Sequence, residues 1–206
     1  MRSAGDKTRK RILDTALKIF AHKGFLATRV SDISREAQTA HGLLYYYFKD
    51  KEDILQAIFE ENWKELTRNV RSVIQHHPDC INKIEAIITY IFHLFHNHPD
   101  LFRVIVINLR YTPELSQDLR KQLLNELLTP LYELFQEGQK QGVLLNELDH
   151  EIAVQLLFGM VENSIRSILI GVIHYDLRIE NLYLIRDNIL KIFFEGTLVS
   201  KKSLTN

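Results

Sequence analysis

Cysteine, proline and glycine are scarce in this chain of 206 residues, and each scarcity excludes something. The single cysteine, Cys80, cannot form a disulfide within the chain, and no Cys-x-x-Cys pair is present to hold zinc. Only four prolines and eight glycines occur. Such a composition is typical of an all-α protein, in which helix breakers are confined to the joints.

Long hydrophobic runs are also lacking, since no apolar stretch approaches the roughly 18–20 residues that cross a bilayer. Residues 1–10 are polar and basic, so they do not resemble a secretory signal. We therefore expect a cytoplasmic protein that has no membrane partner. The 46% content of hydrophobic residues is ample for a buried core.

The net charge is zero, but the two ends of the sequence differ in sign. From Met1 to Lys51, 11 Lys and Arg stand against 5 Asp and Glu, whereas the remainder has 15 against 21. A basic first quarter on an acidic body predicts a negatively charged partner that contacts one end only. A chance fluctuation in solvated surface would give the same numbers, so charge alone does not identify the partner.

Apolar residues recur at helical spacing along almost the whole chain, and no stretch alternates as a strand would. The expected helices are 7–23, 30–37, 41–48, a long one from Lys51, two after the His-Pro-Asp joints at 77–79 and 98–100, one after Thr112-Pro113 that contains Pro130, 151–169, and one from 177 or 181 to 198. The expected N-caps are Thr28 or Ser31, Asp50, Asp79, Asp100 and Asp149, and the expected stops are Gly24, Gly138, Gly142 and Gly171. The sequence thus predicts an all-α fold of about nine helices.

Two short helices on either side of Gln38-Thr39-Ala40 are typical of a helix-turn-helix, whose second helix enters the DNA major groove. The spacing of Leu44, Tyr45 and Phe48 suits an anchor on the preceding helices. Four positions are then left to point elsewhere: His41, Leu43, Tyr46 and Tyr47. The aromatic run could instead be core, but four consecutive aromatics cover about 300° of a helix, so at least one tyrosine should be exposed. Tyrosine hydroxyls and the N–H groups at a helix start suit phosphate oxygens.

The same region resembles the tetracycline-repressor (TetR) family over about residues 7–60. The residues that carry the resemblance are Ala16, Phe20, Gly24, Phe25, Thr28, Ile33, Ala37, Gly42, the run Leu44-Tyr45-Tyr46-Tyr47-Phe48, Lys51-Glu52 and Ile54-Leu55. It implies that the third helix enters the major groove and that Tyr46, Tyr47 and Lys51 bind phosphates. By the same alignment, further candidate DNA contacts are Thr28, Arg29, Thr39, Ala40, His41, Gly42 and Leu43.

Three residues depart from the family pattern. Gln38 stands where the family has a glycine, so it must adopt a positive φ at some cost or the turn must differ. Ala40 replaces a serine and cannot cap the third helix, so Thr39 is expected to take that role. Leu43 cannot hydrogen-bond a base edge, although it could contact a thymine methyl group.

The resemblance further implies two domains, a DNA-binding domain of residues 1–51 and a ligand-binding and dimerisation domain of residues 52–206. A dimer reads half-sites about 34–36 Å apart, or a multiple of that distance, so a small pivot in each subunit would defeat binding. The last two helices are apolar on more than one face, which fits a dimer interface or a helix fully buried in a monomer. The expected interface residues are Ile152, Leu156, Ile165, Ile168, Leu182, Ile185, Ile189 and Phe193.

A sensing pocket is expected between the fourth and eighth helices. Its candidate residues are Phe92, Phe95, Phe102, Asn108, Tyr132, Phe158, Glu162 and Arg166. The polar members interrupt apolar stretches, and a buried polar group needs a partner, either another side chain or a ligand. An internal Glu162–Arg166 pair is the simpler explanation for those two residues.

Three segments look like the branch of the family that controls fatty-acid degradation: 108–110, 137–143 and 158–162. In that branch the ligand is a long-chain acyl-CoA. The resemblance therefore favours an acyl-CoA effector and a repressor. A hydrophobic or cationic drug-like effector remains the alternative, and the aromatic content, including Trp63, would suit it as well.

A metal site and an enzyme are the competing classes. His93, His96 and His98 are close in sequence, but without cysteine or clustered carboxylates the ligand set is incomplete. The sequence has no glycine-rich phosphate loop, nucleophile elbow or His-Glu-x-x-His. We expect no catalytic residues, no metal and no cofactor.

Overall fold

The structure is a computed structural model that describes residues 4–108 and 117–197. Within those residues every regular element is a helix, which confirms the all-α prediction. The elements are α1 (Ala4–Lys23), α2 (Val30–Glu36), α3 (His41–Tyr47), α4 (Lys51–His76), α5 (Cys80–Asn97), α6 (Pro99–Phe102), a π-helical segment (Arg103–Asn108), α7 (Gln117–Lys140), α8 (His150–Leu169) and α9 (Ile179–Thr197).

Three of the predicted aspartate caps are confirmed. Asp50 accepts the backbone N–H of Asp53 at 2.8 Å, at the start of α4. Asp79 does the same for Asn82 at the start of α5, and Asp149 for Ile152 at the start of α8, each at 2.9 Å. A carboxylate cap satisfies an N–H group that the helix leaves unpaired and interacts favourably with the helix dipole.

Two predicted caps are wrong. Helix α2 follows Arg29 rather than Thr28, because the Thr28 hydroxyl donates instead to the carbonyl of Gly24 at 2.7 Å. Asp100 lies inside α6, after His98 as the N-cap and Pro99 in the first turn. Its carboxylate lies 3.2 Å from the ring of His22. The Thr112-Pro113 joint, after which a helix was predicted to begin, lies outside the described residues.

One of the four predicted glycine stops is also wrong. Gly24, Gly142 and Gly171 each follow a helix with a positive φ, as expected. Gly138 instead lies inside α7, which continues to Lys140. Gly138 and Gly142 are only four residues apart, and the local sequence does not show which of them ends α7.

The chain after Pro99 departs from the predicted regular helix. Only Pro99–Phe102 is α-helical, and Arg103–Asn108 continues as a π-helix. A π turn holds one more residue than an α turn, so the side chains that follow are rotated relative to an unbroken α-helix. Apolar periodicity does not report such an insertion.

The chain divides into two compact units, and the described part of the first comprises residues 4–65, 98–108 and 117–120. Its core is built from α1, α2, α3, the first part of α4, α6 and the π-helical segment. Phe20 is fully buried, and its ring meets that of Phe25 edge-on, with centroids 5.1 Å apart. Leu101 and Val104 close the same core. The apolar stripe of α1 therefore has its partners in the helix-turn-helix.

The described part of the second unit comprises residues 66–97 and 121–197, and it contains α5, most of α7, α8 and α9. Its most buried large side chains include Phe92, Phe95 and Phe135, and the Phe135 and Phe193 rings lie 6.2 Å apart. The boundary between the units falls inside α4. The predicted division at residue 51 therefore stays a prediction.

Helix α8 is, among the described residues, the one helix long and apolar enough to cross a membrane. Length and composition are the whole of that criterion, and a core helix meets it too. One face of α8 is buried in its unit, including Val154, Val161 and Ile165.

Candidate nucleic-acid interface and effector region

The turn between α1 and α2 holds Arg29 at the surface. Gly24 ends α1 with a φ of +85°, which a residue with a side chain rarely adopts. Thr28 is 2% exposed, and its backbone N–H donates to the carbonyl of Phe25 at 3.2 Å. Arg29 is exposed, and its backbone N–H donates to the Asp32 carboxylate at 3.2 Å. Of the two candidate DNA contacts in this turn, only Arg29 presents its side chain to solvent.

Asp32 ties α2 to the end of α1. Its carboxylate accepts a hydrogen bond from Lys23 and lies 3.2 Å from Arg35. The Lys23 ammonium, followed by the Arg29 backbone N–H, holds the pKa of Asp32 below its ordinary value. The carboxylate therefore stays ionised and keeps both contacts at neutral pH.

The turn between α2 and α3 is built on Gln38 with a φ of +48°. It is the one non-glycine residue of the described chain with a positive φ. Of the two expected outcomes for Gln38, a positive φ or a different turn, the structure therefore shows the first. The N–H of Thr39 donates to the carbonyl of Ser34 at 2.9 Å, which closes the turn around Gln38.

Thr39 does not cap α3, contrary to expectation. Its hydroxyl donates to the carbonyl of Ala37 at 3.1 Å and accepts from the guanidinium of Arg11 at 3.3 Å. Ala40 is the N-cap residue, and its methyl group cannot accept a hydrogen bond from the first turn of α3. Gly42, in that turn, has no other group within 4 Å of the position a Cβ would occupy. The N–H groups of Leu43 and Leu44 donate to the carbonyl of Ala40 at 2.9 and 3.1 Å, so in the first turn of α3 the N–H groups of His41 and Gly42 are the ones available to an external acceptor.

Helix α3 exposes its tyrosines unequally. Tyr46 is 79% exposed and Tyr45 is 50% exposed, so the prediction of at least one exposed tyrosine is confirmed. Leu44 and Phe48 are buried, as expected, but the third anchor is Tyr47 rather than Tyr45. Tyr47 lies three residues after Leu44 and shares its face, whereas Tyr45 is turned by about 100°.

Lys51, a predicted phosphate contact, has hydrogen-bond acceptors within its own unit. Its ammonium lies 3.0 Å from the carbonyl oxygen of Phe25, 3.4 Å from that of Leu26 and 3.2 Å from that of Thr28. It also lies 4.5 Å from the centroid of the Phe25 ring. All three ammonium hydrogens therefore have acceptors within the same unit.

The exposed side chains of this region combine cationic, aromatic and apolar groups. Arg29 and His41 are exposed, as are Leu43 at 42% and Leu26 at 72%. Sequence reasoning missed Leu26, because a leucine next to a buried phenylalanine resembles core. Together with Tyr46, these groups can donate to phosphate oxygens and contact the apolar parts of a DNA groove.

The predicted effector residues fall in different surroundings. Phe92 and Phe95 are fully buried in the second unit, and Phe102 is buried in the first. The side chain of Asn108 lies outside the described residues. Burial alone does not distinguish a core residue from one that lines a pocket, so the ligand contacts of these residues stay predictions.

The polar candidates lie on or beside α8. Gln155, which sequence reasoning missed, donates to the Tyr132 hydroxyl at 2.7 Å. The Arg166 guanidinium donates to Asn163 at 2.5 Å, while its Nε is buried without a partner in the described chain. Phe158 and Glu162 are half-buried on the same helix.

The predicted dimer residues divide into two groups. Ile152 and Leu156 of α8 are 61% and 64% exposed. The other six are mostly buried in their own unit: Ile165, Ile168, Leu182, Ile185, Ile189 and Phe193. Of these, Ile185 and Ile189 also line a surface groove between α8 and α9. Periodicity identified the apolar helices correctly but could not tell which of their faces is inward.

The exposed apolar residues of α8 and α9 include two predicted dimer residues, Ile152 and Leu156, and two that were not predicted, Leu184 and Ile192. A groove of about 370 Å³ is lined there by Met160, Ser164, Tyr175, Leu184 and Ile192, among others. Leu184 and Ile192 are 47% and 62% exposed, although both belong to an apolar helix. We call Ile152, Leu156, Leu184 and Ile192 the outer apolar face.

The histidines of α5 have partners of their own. The ring of His96 lies 2.7 Å from the carbonyl of Leu177, and that of His93 lies 3.0 Å from the Asn97 amide. Across residues 4–108 and 117–197, no group of three potential His, Cys, Asp or Glu ligands is placed to hold a metal.

Comparison with known proteins identifies both parts of the chain. Residues 12–58 match the model of bacterial regulatory proteins of the tetR family, and residues 59–187 match that of the YsiA-like protein, C-terminal region. The chain belongs to the TetR family. It is accordingly a DNA-binding transcriptional regulator with a helix-turn-helix, and not an enzyme.

Among the relatives of this TetR-family regulator, the fatty acid metabolism regulator protein of Bacillus subtilis (strain 168) is 29% identical. The match covers 81% of this chain and 86% of the relative. The structure of transcriptional regulator FadR from Bacillus subtilis in complex with stearoyl-CoA superposes with a TM-score of 0.80 at 28% identity, over 91% of this chain and 98% of that one. The transcriptional repressor BepR of Brucella suis biovar 1 (strain 1330) is 25% identical over 83% of this chain and 85% of its own.

Proposed function

We propose that this TetR-family regulator is a homodimeric repressor that leaves its operator when a long-chain fatty acyl-CoA binds. The observation that carries the DNA-binding part is α3, which exposes Tyr45 and Tyr46 on a core anchored by Leu44 and Phe48. The hydroxyls of these exposed tyrosines are suited to the phosphate backbone of DNA.

The residues that we assign to the DNA interface are the exposed members of the predicted set: Arg29, Ala40, His41, Gly42, Leu43 and Tyr46. Tyr47 is half-buried, and we assign the part of its side chain that is exposed to the DNA interface as well. Thr28, Thr39 and Lys51 belong to the interface through the turns that they hold, since their polar groups already bind main-chain carbonyls.

The dimer is proposed on the outer apolar face of α8 and α9. Four large apolar side chains between 47% and 64% exposed on two neighbouring helices are costly to leave in water. A second copy of the same face would bury them, and a twofold dimer uses the same patch on both subunits. Such a dimer carries two copies of α3, as the reading of two half-sites requires.

The acyl-CoA effector is proposed from the relatives. One relative is a fatty acid metabolism regulator, and the FadR structure from Bacillus subtilis is a complex with stearoyl-CoA. The predicted lining residues fit both parts of such a ligand. Aromatic side chains suit the acyl chain, whereas Arg166 supplies a cation and a buried Nε whose hydrogen-bonding capacity is unused in the described chain. The regulator would act in the cytoplasm, where DNA and acyl-CoA are both present.

The experiment starts with selection of an operator from a random-sequence pool of duplex DNA by the purified protein. Stearoyl-CoA is then titrated into the complex while fluorescence anisotropy follows the labelled duplex. Release by stearoyl-CoA at micromolar concentration, but not by CoA or stearate, would support the proposal. Release by a cationic hydrophobic dye and not by stearoyl-CoA would identify the drug-like alternative and contradict the acyl-CoA assignment.

A further inference from the structure

Lys51 lies at an unfavourable place for a cation. It is the first residue of α4, where the helix dipole presents partial positive charge, and where acidic residues are stabilising. The two residues that follow, Glu52 and Asp53, obey that rule. A lysine at this position must therefore find its compensation elsewhere.

The compensation comes from the turn between α1 and α2. Its three carbonyls, those of Phe25, Leu26 and Thr28, lie within 3.0 to 3.4 Å of the ammonium, and the centroid of the Phe25 ring lies 4.5 Å from it. Three N–H donors meet three acceptors, so a phosphate oxygen could be bound only after one of these hydrogen bonds is given up.

The turn that Lys51 holds is the one that carries Arg29. Residues 25–28 have no helix to fix them, and the backbone bonds of this turn are the N–H of Thr28 to Phe25 and of Gly24 to Phe20. The Thr28 hydroxyl ties the turn from one side, and the Lys51 ammonium ties it from the other. Arg29 follows directly, exposed and with its backbone fixed by Asp32.

We infer that Lys51 is a positioning residue, which acts on DNA binding by fixing the Phe25–Arg29 turn and through it the Arg29 side chain, and not by its own contact with a phosphate. This inference rests on the proposed DNA interface. In this inference Arg29 makes the ionic contact with DNA, and the effect of Lys51 on DNA affinity depends on the presence of Arg29. The three carbonyls are also satisfied by this one ammonium, so its removal weakens the folded state even without DNA.

The first test needs no DNA. Lys51→Met removes the ammonium and keeps most of the aliphatic stem, while Lys49→Met removes an exposed lysine that lies outside the Phe25–Arg29 turn. We expect Lys51→Met to lower the folding equilibrium constant about 10- to 100-fold in urea unfolding, the range for losing hydrogen bonds to a charged group. Lys49→Met should change it little. Equal unfolding midpoints for the two variants would overturn the inference.

The second test is a double-mutant cycle on the selected operator. Arg29→Met should weaken binding and lower the slope of log K against log salt by about 0.9 for each phosphate that is no longer bound. If Lys51 acts through Arg29, the fold-loss of affinity in the variant that combines Lys51→Met with Arg29→Met is smaller than the product of the two single fold-losses. If Lys51 binds its own phosphate, the fold-losses multiply and the slope falls by a further increment, which overturns the inference.

The two tests separate this inference from the proposed function. A wild-type protein that selects no duplex would contradict the proposed operator binding. The unfolding comparison of Lys51→Met with Lys49→Met would still decide whether the ammonium holds the turn.

Discussion

Three single residues in this protein have a backbone conformation or a contact that helical periodicity does not predict. Gln38 adopts a left-handed conformation where the family pattern has glycine, and Lys51 gives its ammonium to main-chain carbonyls. Cys80 is 2% exposed and donates to the carbonyl of Leu134 at 3.6 Å. Each of these depends on a backbone angle or on a partner far away in sequence.

Gln38→Gly should stabilise the first unit. A non-glycine residue with a φ of +48° carries strain of about 1–3 kcal/mol, while glycine costs about 0.5–1 kcal/mol of extra unfolded-state entropy. The net gain in the free energy of unfolding should be about 1 kcal/mol, measured by urea unfolding. Glu36→Gly, at an exposed position at the end of α2, is the control and should be destabilising by a similar amount. A decrease in stability at both positions would show that Gln38 is not strained.

Cys80 should make stability fall at alkaline pH. Burial raises the pKa of its thiol from 9.0 to about 11 in the folded state. Between these values the unfolded thiol loses its proton while the folded thiol keeps it, so the unfolded state is favoured as pH rises. The contribution of the protonated thiol to the free energy of unfolding is therefore complete below pH 9 and lost by about pH 11. Cys80→Ala should lose this part of the dependence, which unfolding curves between about pH 8 and 11 would measure.

The same thiol should be unreactive in the folded protein. Only the thiolate attacks an alkylating agent, and a buried thiol with a raised pKa supplies little of it. Iodoacetamide at about pH 8 should therefore label Cys80 in urea and not in native buffer. Rapid labelling of the native protein would contradict the burial.

At the scale of elements, the ends of the helices follow from residues that are close in sequence. The caps at Asp50, Asp79 and Asp149 begin three helices, and Gly24, Gly142 and Gly171 follow three helices with positive φ. All these were predicted, because a cap or a stop involves residues within four positions of each other. The π-helical segment and the third anchor of α3, Tyr47, were not predicted.

Helix α7 passes close to α5 at Gly138, and this contact is a sensitive point. A Cβ at Gly138 would lie 2.7 Å from the Cys80 sulfur and 2.7 Å from a Leu144 methyl group. Gly138→Ala should therefore be destabilising by about 1–3 kcal/mol, as expected for overpacking. Gly159→Ala in α8 is the matched control, since nothing lies within 4 Å of that position. It should be stabilising by up to about 1 kcal/mol in the same urea unfolding experiment.

At the scale of the whole molecule, the excess of basic residues and the outer apolar face belong to different units. The basic residues that exceed the acidic ones lie between Met1 and Lys51, and the outer apolar face belongs to α8 and α9. One region thus suits a polyanion and the other suits a second protein surface. This division fits the proposed regulator, which would bind DNA with one part and form a dimer with another.

Leu156→Glu should disrupt the proposed dimer. Leu156 is 64% exposed in the single chain, so the carboxylate would be solvated in a monomer but desolvated against a second copy. Light scattering behind size exclusion should give the mass of a dimer for the wild type and a monomer for the variant, and operator affinity should fall with it. Leu124→Glu, at an exposed α7 position outside the outer apolar face, is the control. A dimer unchanged by Leu156→Glu would place the interface elsewhere.

The sequence by itself determined the all-α fold, most helix ends and the helix-turn-helix, because these depend on apolar period, caps and turn residues that are close in the chain. It also placed Tyr46 outside the core. Only the tertiary structure decided which faces of α8 and α9 are buried, so that Ile165 and Leu182 are core while Leu184 and Ile192 are exposed. It likewise decided that Lys51 holds the Phe25–Arg29 turn. When a helix is apolar on several faces, long-range packing determines which face is buried. The contacts of Lys51 likewise depend on a loop that lies more than twenty residues earlier in the chain.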